Sequence, residues 1–248
     1  DARRGYFFKK LGDWIALLTS IEYVNGGAHG FLSWPVQSVG LSSCGWYPNA
    51  RPTLMFTEEE ISRGWRQIKK LQLSPTDKIA CLHVRSNSYL SRQQPGHDWS
   101  YHDYRNPPIE AYVPAVEYLL DHGFKVLRLG SGATQAFPLK RAGFIDYALS
   151  ESQSDFLDVF LYSVASLAIA GGPSGLDHLA LAFRCPLITT NAIPFQIQRY
   201  DTPISIVMPC LLRDLRTNTL LSLSQMAEYQ FFRTQQYIDA QVGLEYNS

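Results

Sequence analysis

Three stretches of the chain concentrate residue types that can do chemistry: His83-Val84-Arg85, the polar run from His97 to Pro108, and Gly171-Gly172-Pro173-Ser174-Gly175-Leu176-Asp177-His178. Arg85 offers a permanently charged fork of donors that matches a phosphate, although an arginine at a sheet edge can equally serve a salt bridge. His83, inside an apolar run, reads as a hydrogen-bonded structural histidine. In the polar run, Asp98, His102 and Asp103 are the groups able to take a proton from a hydroxyl. Arg105 and Asn106 could hold a phosphate or carboxylate, and the interleaved aromatics could stack on a base or a sugar. The same run could instead cap the helix that follows and satisfy local backbone. The glycines at 171, 172 and 175 remove the Cβ atoms that would keep an anion from unpaired N–H groups at a helix start. Gly172, Ser174 and Gly175 are therefore candidate anion contacts, and Asp177 could accept from a sugar hydroxyl or simply stabilise the first helical turn. Chain reversal alone would also account for such a turn.

The elements that must position these residues alternate in type. Thr57 and Glu60 form a capping box ahead of an apolar stripe of Ile61, Trp65, Ile68 and Leu71, which predicts a helix. Strands are expected at Lys78–Val84, Phe124–Leu129, Phe144–Ala148, Leu167–Ala170, Pro186–Thr190 and Ile204–Met208. Helices are expected at Pro114–His122, Gln135–Ala142, Ser154–Val164 and Ser174–Phe183, with a further one at Asp13–Tyr23. This order predicts an α/β fold with a doubly wound, mostly parallel, Rossmann-like sheet over residues 57–248, preceded by an abbreviated N-terminal region at 1–56. In such sheets ligands bind beyond the C-terminal strand ends, so the loops starting at Arg85, Gly130, Gly171 and Thr190 form the expected binding edge. Gly130 and Ser131 belong to it.

Composition narrows the function. The 248 residues are 46% hydrophobic and carry 22 basic and 22 acidic side chains, so no global field attracts nucleic acid. The four cysteines, at 44, 81, 185 and 210, have no metal-ligand spacing, which indicates no metal site, and Cys81 and Cys185, in or beside apolar strands, read as buried reduced thiols of a cytosolic protein. Gly130-Ser131-Gly132 begins like a dinucleotide fingerprint, but Gln135 stands where its third glycine belongs, which lowers the odds of an NAD-dependent enzyme. A Walker A sequence is absent. Leu176 stands where a serine-hydrolase elbow needs glycine, and His178 comes too soon after Ser174 to be its partner. The apolar run from Val159 to Leu176 is broken by Gly and Pro and makes a poor membrane helix. The chain begins with Asp and shows no signal peptide, which suggests a fragment or processed piece.

Taken together, Leu82-His83-Val84-Arg85, Tyr101-His102-Asp103-Tyr104-Arg105-Asn106, Ile109-Glu110-Ala111-Tyr112-Val113-Pro114-Ala115, Val126-Leu127-Arg128-Leu129-Gly130 and Ser174-Gly175-Leu176-Asp177 resemble a family of bacterial glycosyltransferases found with surface-polysaccharide genes. The His-Val-Arg strand end is also similar to the donor motif of fucosyltransferases with the GT-B fold. The likeness covers roughly residues 53–225. It implies a nucleotide-diphosphate sugar as donor, with Arg85 on the diphosphate and Ser174, Gly175 and Asp177 at the donor site. It further implies a glycan or lipid-linked acceptor, an acceptor half supplied by a missing N-terminal domain or partner subunit, and no cofactor. The expected location is cytoplasmic, with a peripheral place at the inner face of the membrane as a further option. Metal-independent transfer is chemically coherent, because arginines and helix dipoles can neutralise the leaving diphosphate. A non-catalytic nucleotide-sugar or glycan-binding module is the alternative.

Overall fold

The computed structural model describes residues 54–193, 205–228 and 244–247. The chain divides into two compact units, Asp1–Ala50 and Arg51–Ser248. The first unit, with the helix expected at 13–23, lies outside the described residues.

A six-stranded sheet organises the second unit: β1 (Lys78–Val84), β2 (Phe124–Leu129), β3 (Phe144–Ile145), β4 (Leu167–Gly171), β5 (Leu187–Ala192) and β6 (Ser205–Pro209). All neighbours pair in parallel, in the order β3-β2-β1-β4-β5-β6. This is the Rossmann order, in which the chain winds outward in both directions from β1 and β4 and leaves a crevice at their C-terminal ends. Alternation along the strands builds two cores. Ile79, Cys81, Leu127, Leu129, Ala168 and Ala170 face one side, where α1 (Glu58–Ile68), α4 (Asp155–Val164) and α5 (Asp177–Ala182) bury Ile68, Phe160, Leu161, Ala180 and Leu181. Ala80, Leu82, Val126 and Ile169 face the other, covered by Val116 and Leu119 of α3 (Val113–Asp121). The α/β, doubly wound parallel sheet expected from the sequence is the one observed.

A second, antiparallel sheet joins β7 (Leu211–Asp214) to β8 (Thr219–Leu220) and β9 (Leu244–Asn247), followed along the chain from β8 by α6 (Leu223–Glu228). Its core of Ile193, Cys210, Leu212, Leu221 and Met226 also receives Tyr104 from the long polar segment.

Local chemistry explains the element ends. Thr57 and Glu60 form the capping box of α1 reciprocally, Ser154 Oγ caps α4, and Gly123 ends α3 at φ +79°. Three expectations fail. No helix forms at 135–142: Arg128 Nη1 donates to the Gln135 carbonyl (2.9 Å), the Phe137 N–H donates to the Asp146 carboxylate (2.9 Å), and Pro138 has no N–H to contribute. The strand expected at 144–148 stops at Ile145, since Tyr147–Leu149 turns into a 3-10 helix that buries Tyr147. The helix behind the glycine turn is only Asp177–Ala182, because Ser174 is drawn into contacts with His83 and Asp177.

Candidate functional site at the carboxyl edge

Arg85 is the first residue past β1. Its N–H donates to the Gly171 carbonyl (2.7 Å), which continues the pairing with β4 and fixes the arginine at the crevice. The side chain is only 7% exposed. Its Nη1 donates to Asn87 Oδ1 (3.3 Å), the His102 carbonyl (3.3 Å) and Asn106 Oδ1. Its Nε and Nη2 hydrogens have no partner among the described residues. Burial and the neighbouring Arg105 push its pKa down to about 10, so it stays charged at neutral pH.

The loop that starts at Arg85 and runs through the polar stretch to Pro108 carries structure of its own, α2 (Ser88–Gln93) and a 3-10 turn at Ser100–Arg105. Arg105 ties this turn to the glycine turn, since its Nη2 donates to the Pro173 carbonyl (2.7 Å) while its buried Nε finds no acceptor. Neither Arg85 nor Arg105 has a carboxylate at ion-pair distance among the described residues; the pairs formed are His83–Asp177, Arg128–Asp146, Arg141–Asp121 and Arg216–Asp214. A buried and a half-buried guanidinium thus lie near one another with no carboxylate in contact, their charge offset only at longer range by Asp103 and Asp177.

Of the three candidate bases, the structure brings one to a cleft. Asp103 accepts at Oδ1 from the amides of Asn87 and Asn106 (3.2 Å from the latter), and it lines an open cleft of ≈630 Å³ with Asn87, Ser88, Ser91, Arg92 and Thr134. With Oδ1 held by the two amides, Oδ2 has no hydrogen-bond partner among the described residues. Asp98 is exposed, lines neither cleft, and accepts from the Ser100 N–H (2.9 Å), which holds its carboxyl below the usual range. His102 stacks on Trp99 (6.1 Å between ring centroids), and burial with Arg105 and Arg85 nearby pushes its pKa down. Trp99 in turn packs on His97 (4.3 Å). With Tyr104 in the third core, these aromatics fold the segment onto the domain.

The glycine turn is occupied by protein. A Cβ on Gly171 would lie 2.6 Å from Tyr112 Cζ, and Tyr112 is held by its hydroxyl against Thr190 Oγ1 (2.6 Å). Gly172 has φ +80°, and its Cβ would collide with the Arg105 carbonyl oxygen, with Arg85 Cβ at 3.2 Å and Pro107 Cδ at 3.3 Å closing the other sides. Gly175 alone of the three faces open space. The start of α5 is partly satisfied from within: the Ser174 N–H donates to Asp177 Oδ2 (2.7 Å) and the Leu176 N–H to Ser174 Oγ (3.2 Å).

Ser174 Oγ also bridges His83 Nδ1 (3.0 Å) and Asp177 Oδ1 (3.2 Å), and Asp177 Oδ1 lies 3.4 Å from the same histidine nitrogen. A nucleophile relay places serine and acid on opposite ring nitrogens, so this Ser-His-Asp cluster is not one. It is a clamp joining the ends of β1 and β4. The other edge of His83 lies beside Gly130, whose Cβ would stand 3.1 Å from His83 Cδ2. Gly130 and Ser131 line neither cleft.

A second cleft of ≈210 Å³ lies between the ends of β1 and β2 and is lined by Arg85, Ser86, Asn106, Glu110, Arg128 and Thr134 among others. Ser88, Asn106 and Thr134 belong to both clefts. Sequence reasoning missed Asn87 and Arg128 as site residues. Arg128 carried a signal, a lone guanidinium late in the apolar strand Phe124–Leu129; Asn87, in a polar connection, carried none.

Among the described residues no group of three or more His, Cys, Asp or Glu side chains could hold a metal ion, and no helix is long and apolar enough to cross a membrane. Cys81, Cys185 and Cys210 are free and buried. No family model and no curated protein matches the chain. Among solved structures, it is similar to the glycosyl transferase family 9 protein of Veillonella parvula, at 16% identity and a TM-score of 0.44, over 63% of this chain and 42% of that one. The chain therefore spans less than half the length of that neighbour.

Proposed function

We propose that this domain binds a nucleotide-diphosphate sugar at the carboxyl edge of its sheet and transfers the sugar to a hydroxyl of a glycan or lipid-linked acceptor, as a glycosyltransferase of the GT-B type. The observation that carries the reading is the pair Arg85 and Arg105, both drawn out of water at the crevice between β1 and β4 with no carboxylate partner. Guanidiniums with no carboxylate in contact at that edge suit an anionic ligand, and a leaving diphosphate needs such neutralisation. The strand-end and Tyr-His-Asp-Tyr-Arg-Asn motifs point to the same class of donor.

The residues divide the work by position. Arg85 contributes charge and the unused hydrogens of Nε and Nη2 to the diphosphate. Arg105 is a positioning residue that holds the glycine turn through Pro173. Asp103, oriented by Asn87 and Asn106, accepts the acceptor hydroxyl proton as the C–O bond forms and the diphosphate departs with the electron pair of the cleaved bond. Ser88, Ser91 and Thr134 line the same cleft and supply hydroxyls suited to a sugar.

A thermal-shift screen with UDP, GDP, CMP and dTDP sugars tests the donor assignment. A ligand at 100 times its Kd stabilises the folded state by about 2.7 kcal/mol, which raises the midpoint by several degrees, and Arg85→Ala abolishes the shift. No shift with any of the four sinks the assignment. A shift without transfer to any acceptor makes the chain a binding module. Asp103→Asn is expected to keep the shift while lowering the transfer rate by about 10²–10⁴-fold, the contribution of a general base.

A further inference from the structure

We infer that the smaller cleft, between the ends of β1 and β2, is a subsite for a phosphate group, and that Arg128 is one of its ligands together with Arg85. The inference rests on the diphosphate reading above and places that anion away from the glycine turn, where two of the three glycines are already covered by Tyr112 and the Arg105 carbonyl.

Arg128 lies in an otherwise apolar stretch of β2 and is 3% exposed. A guanidinium that deep requires partners for all of its donors. Its Nε meets Asp146 Oδ1 (2.8 Å) and its Nη1 donates to the Gln135 carbonyl (2.9 Å), while Nη2, equally buried, has no partner. Arg85 has its Nη1 committed and no partner among the described residues for Nε and Nη2. Both side chains line the same cavity.

The cavity fits the ligand in size and charge. Its ≈210 Å³ is the volume of roughly seven water molecules, enough for a phosphate group with part of its hydration. Asp146 balances Arg128 within the wall, so Arg85 supplies the positive charge on the inner side of the cavity and Arg128 an additional donor. Ser86, Ser88 and Thr134 bring hydroxyls to the rim. Glu110 also stands at the rim, exposed and accepting from Gln135 Nε2 (3.1 Å). Its charge opposes a second phosphate on that side and limits the cavity to one anionic group.

Pyrophosphate titrated calorimetrically into the purified chain at pH 7 is the test. Arg128→Lys keeps a cation beside Asp146 but loses the fork, and Ala133→Leu fills the cavity while leaving every guanidinium in place. Each is expected to weaken pyrophosphate about tenfold or more, as loss of a hydrogen bond to a charged group does. If Arg128→Lys fails to fold, Ala133→Leu decides. Wild-type affinity in Ala133→Leu overturns the inference, and so does wild-type affinity in Arg128→Lys; the diphosphate reading survives if Arg85→Ala still abolishes binding in that case. Failure of the wild type to bind pyrophosphate while it binds a nucleotide-diphosphate sugar overturns the subsite alone. Failure to bind either ligand overturns both.

Discussion

Replacing Gly172 by alanine separates two roles for the glycine turn, one in holding the fold and one in receiving a ligand. Gly172 stands at φ +80°, where a side chain costs about 1–2 kcal/mol in backbone strain. Its Cβ would also fall within 3.0 Å of the Arg105 carbonyl oxygen, a backbone atom that cannot swing aside as a flexible side chain would. The exits are closed by Arg85 Cβ (3.2 Å) and Pro107 Cδ (3.3 Å), so the Arg105–Pro107 backbone must move, at the cost of overpacking, about 1–3 kcal/mol. Together these predict a loss of about 2–5 kcal/mol, readable as a lower urea midpoint at unchanged slope. Gly175→Ala is the control. Nothing lies within 4 Å of its Cβ and its φ is not positive, so its effect on stability should stay within about 0.5 kcal/mol of zero. Gly172→Ala should also weaken nucleotide-sugar binding, because the displaced backbone carries Asn106, which meets Arg85. The opposite result, with Gly172→Ala as stable as wild type, would refute the conclusion that the turn is packed against protein.

Three further outcomes follow from other parts of the structure. Burial, with Asp155 nearby, raises the pKa of Asp158 from 3.8 to about 6, so between those values the folded chain holds a proton that the unfolded chain has lost. Stability contributed by this group is therefore complete below about pH 4 and gone above about pH 6, a difference of about 3 kcal/mol, and Asp158→Asn should remove that slope from urea melts taken across the range. An unchanged slope would show that Asp158 titrates alike in both states. Tyr112→Phe removes the hydroxyl that meets Thr190 Oγ1 at 2.6 Å and should cost about 1 kcal/mol in the same assay, and no loss would mean the bond contributes nothing net. Asp98→Asn should leave the transfer rate within about twofold of wild type, since its carboxylate serves the Ser100 turn outside both clefts; a loss comparable to that of Asp103→Asn would reverse the choice of base.

Much of the scaffold was legible in the chain because it depends on short-range pattern. Uncharged runs such as Leu167–Ala170, the capping box at Thr57 and the glycine after α3 each act over a few residues. Their alternation was enough for a parallel doubly wound sheet and for its ligand-bearing edge. The local errors at 135–142, 144–148 and 174–183 arose where backbone or side-chain groups were claimed by partners elsewhere in the fold, as when Arg128 takes the Gln135 carbonyl.

The sequence by itself determined that Arg85, the polar segment after it and the glycine turn would meet at one edge, because alternating strands and helices joined by right-handed crossovers run parallel and put all their C-terminal ends on the same side. Only the tertiary structure decided what each does there. Arg105 reaches Pro173 across 68 positions and His83 meets Ser174 across 91, so the turn that looked open to an anion is closed by its own chain at Gly171 and Gly172 and stays open only at Gly175. Asp103 faces a cleft and Asp98 does not, although both belong to one short polar run. Residue type fixes the donors and acceptors a side chain offers, whereas long-range packing fixes which of them remain unspent, and a ligand can use only those.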